Sequence, residues 1–118
     1  MHELGITQGI IDRAREAAER DGAARVSALY LTITPAADFT RESIEMYFEM
    51  LAGEDPLFAG ALLVWEEAPA GATCLICSTA FSSAEAQPVC PQCGSSQVSF
   101  DPHGALLQLT GIGIEEDA

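Results

Sequence analysis

The chain has no lysine. Its basic side chains are five arginines, set against 18 aspartates and glutamates in 118 residues, which gives a net charge of −13 and a pI near 4.1. A surface of that sign repels phosphate backbones and anionic headgroups, so nucleic-acid and membrane-surface roles are disfavoured. No apolar run approaches the ~20 residues that span a bilayer. Met1-His2-Glu3-Leu4 has neither the basic nor the uninterrupted apolar region of a secretory signal. A cytoplasmic protein is expected. There is no phosphate-binding Gly-Lys motif and no serine with convincing His and Asp partners. Glu66 and Glu67 are neighbours on an expected strand and point to opposite faces, a poor acid/base pair. These absences weigh against an enzyme.

What is present suits one small globular domain, with 48% hydrophobic and 19% charged residues. Over Leu4–Glu19, Ile6, Ile10, Ala14 and Ala17 or Ala18 recur at helical steps, and Asp21-Gly22 signals the end of the helix. Val26–Thr34 alternates with period two, Leu29, Leu31 and Ile33 on one face, and Pro35 closes this strand. Thr40 is placed to cap a second helix with a core stripe of Ile44, Tyr47, Phe48 and Leu51, ended by Gly53. Met46 and Met50, one turn apart on it, suit core or interface packing at least as well as a soft-metal site. Further strands are expected at Ala61–Glu67 and Ala105–Ile114. Between them Pro69–His103 is turn-rich, with little apolar periodicity, and about 35 residues are too few for an unaided core.

That segment holds all four cysteines. Cys74-Leu75-Ile76-Cys77 and Cys90-Pro91-Gln92-Cys93 are two CxxC knuckles 12 residues apart. Each tight turn aims two sulfurs at one point, and the loop brings the pairs together into a tetrahedron suited to structural zinc. A redox dithiol needs one pair, not two. Four thiolates leave zinc no open position, so such an ion supports the fold and does not activate water. No basic residue lies between Cys74 and Cys93, against a nucleic-acid ribbon.

At the amino terminus, the Met1 amine, the His2 amide and the His2 imidazole can form fused chelate rings around one ion, and the Glu3 amide or carboxylate is close enough to complete four positions. Nitrogen-rich tetragonal coordination suits Ni(II) or Cu(II). The residues alone leave the alternative that His2 is an exposed group in a disordered stub. His103, between Pro102 and Gly104, suits a solvated hinge better than a secondary metal contact.

Met1-His2-Glu3-Leu4-Gly5-Ile6-Thr7, the amphipathic helix, the strand, the Glu42-Ser43-Ile44 to Phe48 helix and the late CxxC pairs, in this order, resemble the HypA/HybF hydrogenase-maturation nickel chaperones over nearly the whole chain. The resemblance implies a non-catalytic cytoplasmic metallochaperone that delivers Ni(II) as cargo to the large subunit of a nickel–iron hydrogenase. It works with a HypB-type GTPase, and some relatives serve urease. Met1, His2 and Glu3 are the implied nickel site, and Cys74, Cys77, Cys90 and Cys93 match the zinc ligands. The implied fold is α/β (α+β): a small mixed sheet with two helices, plus an inserted zinc-ribbon-like domain. Residues 1–68 with 104–118 form the nickel domain and 69–103 the zinc domain. Some relatives carry a carboxylate just before the second helix. Here Thr40 stands at that place and Asp38 two residues earlier, and no role is transferred to either. No nucleic-acid or membrane partner is expected, and homodimerisation is left open. The competing function is a zinc-stabilised interaction or scaffold module without nickel delivery.

Overall fold

The computed structural model describes residues 2–116. Its elements run α1 (His2–Arg20), β1 (Arg25–Ile33), α2 (Arg41–Ala52), β2 (Leu62–Glu67), β3 (Ala70–Cys74), β4 (Ala80–Ser83), β5 (Val98–Phe100) and β6 (Leu107–Glu115), with a single 3-10 turn at Pro56–Phe58. The strands form two three-stranded sheets, ordered β2-β1-β6 and β4-β3-β5. This is the expected α+β architecture. The chain divides into two compact units, one of residues up to Thr32, Phe39–Glu66 and from Gln108 on, the other of Ile33–Asp38 and Glu67–Leu107.

In the first unit α1 forms because Thr7, Ile10, Ile11, Ala14 and Ala18 fall on one buried stripe. It ends where the sequence signals: Gly22 takes φ 65°, its N–H donates to Glu19 O, and the Ala23 N–H reaches back to Ala18 O at 2.9 Å. Those paired bonds satisfy helix-end carbonyls and need the left-handed residue that glycine supplies. Thr40 caps α2 as expected, its hydroxyl accepting from Ser43 N–H at 3.1 Å. The stripe of α2 differs from the expected one. Ile44, Phe48 and Ala52 are buried, whereas Leu51 is 38% exposed and Tyr47 half-buried. Around the helix Leu51 falls about 20° to one side of Ile44 and Ala52 about 80° to the other, so the core is centred towards Phe48 and Leu51 lies at its margin. Met46 and Met50 are exposed, on the outer side of the helix, so neither is a core residue.

β1 carries the centre of the sheet, with Val26, Leu29 and Leu31 fully buried. The Ala24 N–H bonds Glu115 O and the Thr34 N–H bonds Leu106 O, so β1 and β6 run antiparallel. The Ala68 N–H bonds Ile33 O, bringing the C-terminal ends of β1 and β2 together in a parallel pair connected through α2. Phe48 and Phe58 meet edge to face at 5.9 Å, and Arg15 lies over the Phe58 ring while pairing with Asp55 at 2.6 Å.

In the second unit the turn-rich stretch proves to contain the β4-β3-β5 sheet, antiparallel throughout, with Ala72 opposite both Phe81 and Phe100. These strands of three to five residues are too short to print a period on the sequence. Its strongly buried apolar residues are Ala72, Cys74 and Cys90, far less than the helical unit buries.

Candidate metal centres

β3 ends at Cys74 and delivers it buried into the first knuckle. The two knuckles are built alike. The Cys74 N–H donates to Thr79 O and the Cys90 N–H to Ser95 O, while Ser78 and Gly94 return their N–H groups to the carbonyls of Cys74 and Cys90. Inside each turn, amides point at the leading sulfur: Ile76 and Cys77 at Cys74 Sγ, at 3.4 and 3.5 Å, and Gln92 at Cys90 Sγ, at 3.4 Å. Such N–H donors stabilise a thiolate.

The sulfurs converge as the spacing predicts. Cys74 and Cys93 Sγ are 3.6 Å apart, Cys77 and Cys90 Sγ also 3.6 Å, and all four lie within 4.8 Å of one another. A tetrahedron with Zn–S bonds of about 2.3 Å has edges of about 3.8 Å, so the donor set fits zinc. The thiols compete for protons. The Thr79 hydroxyl, 3.1 Å from Cys77 Sγ, with the Thr79 amide, draws Cys77 down to about 6. Cys93 is pushed up to about 12: the Ser95 amide favours its thiolate, but Cys74, burial, Cys77 and Cys90 together outweigh it. Four adjacent thiolates require a cation to coexist, and a divalent ion would hold them all ionised, fastening the two knuckles to each other. Thr79 gave no signal in the sequence, since a threonine two residues past a cysteine is read as a loop residue until the turn closes.

At the amino-terminal end, Met1 lies outside the described residues. His2 and Glu3 form the first turn of α1, longer by two residues than the apolar period predicts, so His2 does not sit in a disordered stub. The imidazole Nδ1 is 3.9 Å from Glu3 Oε2, with His2 exposed and Glu3 half-buried. The His2 ring packs edge-on to the buried ring of Phe39, with centroids 6.0 Å apart and planes at 67°. Thr7, also buried, donates its hydroxyl to Glu3 O at 2.7 Å. Sequence reasoning missed both supports. Phe39 reads as a loop residue, and Thr7 as one more turn of helix.

Thr40 is occupied as the cap of α2, and Asp38 is exposed before it. His103 stands in an exposed turn, its N–H donating to Asp101 Oδ1. Among the described residues the four cysteines are the one cluster of three or more His, Cys, Asp or Glu that could hold a metal.

Residues 1–113 match the family model described as hydrogenase/urease nickel incorporation, metallochaperone, HypA. The chain belongs to the HypA family. It is similar to the hydrogenase maturation factor HypA of Azotobacter vinelandii, 37% identical over 98% of this chain and all of that one. Against the HypA of Caldanaerobacter subterraneus subsp. tengcongensis identity is 31%, with the same coverage. Its fold resembles the solution structure of the Ni metallochaperone HypA from Helicobacter pylori, with TM-score 0.67 at 18% identity over 98% of each chain. As a HypA nickel metallochaperone for hydrogenase maturation, the protein carries nickel as cargo, is not a catalyst, and has its partners in the hydrogenase/urease nickel-insertion machinery. No helix among the described residues is long and apolar enough to cross a membrane.

Proposed function

We propose that Met1, His2 and Glu3 hold the nickel cargo at the start of α1, while Cys74, Cys77, Cys90 and Cys93 hold a zinc ion that is not transferred. The observation that carries this reading is the exposed pairing of the His2 imidazole with the Glu3 carboxylate, 3.9 Å apart and steadied by Phe39. First-turn amides stand outside the i→i−4 ladder of a helix, so ligation through the His2 and Glu3 nitrogens leaves α1 intact. The positive end of the helix dipole favours the ionised amidate over the neutral amide. Because ligation releases those amide protons, nickel affinity falls as the pH is lowered. An exposed, terminal chelate suits hand-over better than a closed cage does.

In this reading residues 1–68 with 104–118 act as the nickel domain and 69–103 as the zinc domain. The client is the large subunit of a nickel–iron hydrogenase, with a HypB-type GTPase as co-worker in the cytoplasm, and urease maturation a second outlet. The test is nickel titration of zinc-loaded protein with an untagged amino terminus, followed by square-planar absorbance. One equivalent should bind to the native chain and be lost in His2→Ala, with zinc content and helical signal retained. Equal binding by His2→Ala overturns the assignment.

A further inference from the structure

The arginines are not equally engaged. Arg15 pairs with Asp55, Arg25 with Glu115 through two nitrogens, and Arg41 lies over Trp65. Arg13 and Arg20 make no ion pair or hydrogen bond among the described residues. Seven residues apart on α1, they project from one side of it, about 10.5 Å from each other along the axis. Both line the same groove of about 530 Å³, whose opposite wall is β6, with Leu109 and Ile112 among its residues. Glu16 and Asp21 also line it, yet neither carboxylate reaches ion-pair distance of a guanidinium.

β6 is an edge of its sheet. Alternate backbone N–H and C=O groups of such a strand face away from its neighbour and are free to pair with an added one. The groove therefore combines main-chain partners, apolar side chains and two unneutralised cations on a molecule of net charge −13. We propose that it docks an extended, acidic segment of a partner protein, added as a fourth strand beside β6 with its carboxylates on Arg13 and Arg20. The mode is strand addition, in which backbone bonds supply affinity and the flanking side chains supply selection. Alternate residues of a strand project to one face about 6.8 Å apart, so carboxylates at i and i+2 or i and i+4 bracket the arginine separation. The net charge of −13 disfavours such a segment on an average patch of this surface, and Arg13 and Arg20 offset that repulsion at the groove. The proposal is independent of which residues hold nickel.

The probe is a dye-labelled ten-residue peptide alternating Glu with Val, titrated into full-length zinc-loaded protein and read by fluorescence anisotropy, with a Lys-Val peptide as control. Arg13→Gln combined with Arg20→Gln changes two exposed helix positions, and circular dichroism and zinc content check that the fold is kept. Binding should be specific to the acidic peptide, weaken with salt, and fall roughly tenfold in the double variant, as expected for the loss of two exposed ion pairs. Amide exchange should slow in β6 when the acidic peptide is added. Equal affinity in the double variant overturns the proposal, as does equal binding of the Lys-Val peptide. Concentration-dependent protection of β6 without peptide would also overturn it, by placing a second copy of this chain on the edge.

Discussion

Ser78 and Gly94 are equivalent residues of the two knuckles: each is fourth after a leading cysteine, each has positive φ, 63° and 76°, and each donates its N–H to that cysteine's carbonyl. A left-handed L-residue costs about 1–2 kcal/mol. Nothing lies within 4 Å of a Cβ built on Gly94, so Gly94→Ala should lower stability of the zinc-loaded protein by about that backbone cost alone. Ser78→Gly should raise it, by at most about 1 kcal/mol because the added chain freedom offsets part of the gain. Denaturant unfolding of the two variants checks the opposed signs.

Zinc removal should unfold one unit and spare the other. The helical unit buries Ile10, Ile11, Leu29, Leu31, Ile44 and Phe48, whereas the cysteine-bearing unit has Ala72, Cys74 and Cys90. Structural zinc contributes about 10–16 kcal/mol in isolated finger peptides, much more than such a core supplies. Chelation should therefore erase the dispersed amide signals of Ala70–Cys74, Ala80–Ser83 and Val98–Phe100 while helical dichroism persists. Retention of those signals in metal-free protein would contradict this.

Asp55 links acid stability to the helical unit. The Arg15 guanidinium, then the Leu57 amide, hold its carboxyl below the usual 3.8. Its folded pKa being depressed, the stabilisation is present above the unfolded value and disappears as pH falls through the folded one. Asp55→Ala should cost about 1 kcal/mol near neutrality, the pair being partly exposed. The deficit should vanish on acidification below that range. Urea unfolding monitored by helical signal, wild type against variant at each pH, measures it.

On the proposed assignment of nickel to His2, Phe39 should affect how firmly the ion is held without changing how many bind. Its ring sets the orientation of the His2 imidazole, and edge-to-face contacts are worth about 0.5–1.5 kcal/mol. Phe39→Leu should therefore keep one nickel per chain and weaken its affinity by roughly twofold to tenfold. Phe39→Tyr should bind as the native chain does. An unchanged affinity in the leucine variant would remove Phe39 from this role.

The sequence alone determined features that depend on neighbours in the chain. The end of α1 at Gly22 and the cap at Thr40 are set by bonds spanning at most five residues. The CxxC spacing likewise settles how each knuckle presents its sulfurs, and the convergence of all four required only a loop long enough to close. Tertiary structure decided what depends on partners far along the chain. Leu51 lost its expected burial because the core is centred towards Phe48 and Ala52, which leaves Leu51 at the margin of the apolar stripe. The sheet of β3, β4 and β5 was hidden because strands of three to five residues carry almost no period, and their pairing is fixed by cross-strand contacts. Phe39 comes to His2 from 37 positions away. Arg13 and Arg20 are ordinary surface charges until β6, nearly 90 residues later, becomes the other wall of their groove. Local chemistry is written at short range and is legible there, whereas the meeting of distant residues follows from burial of the whole chain.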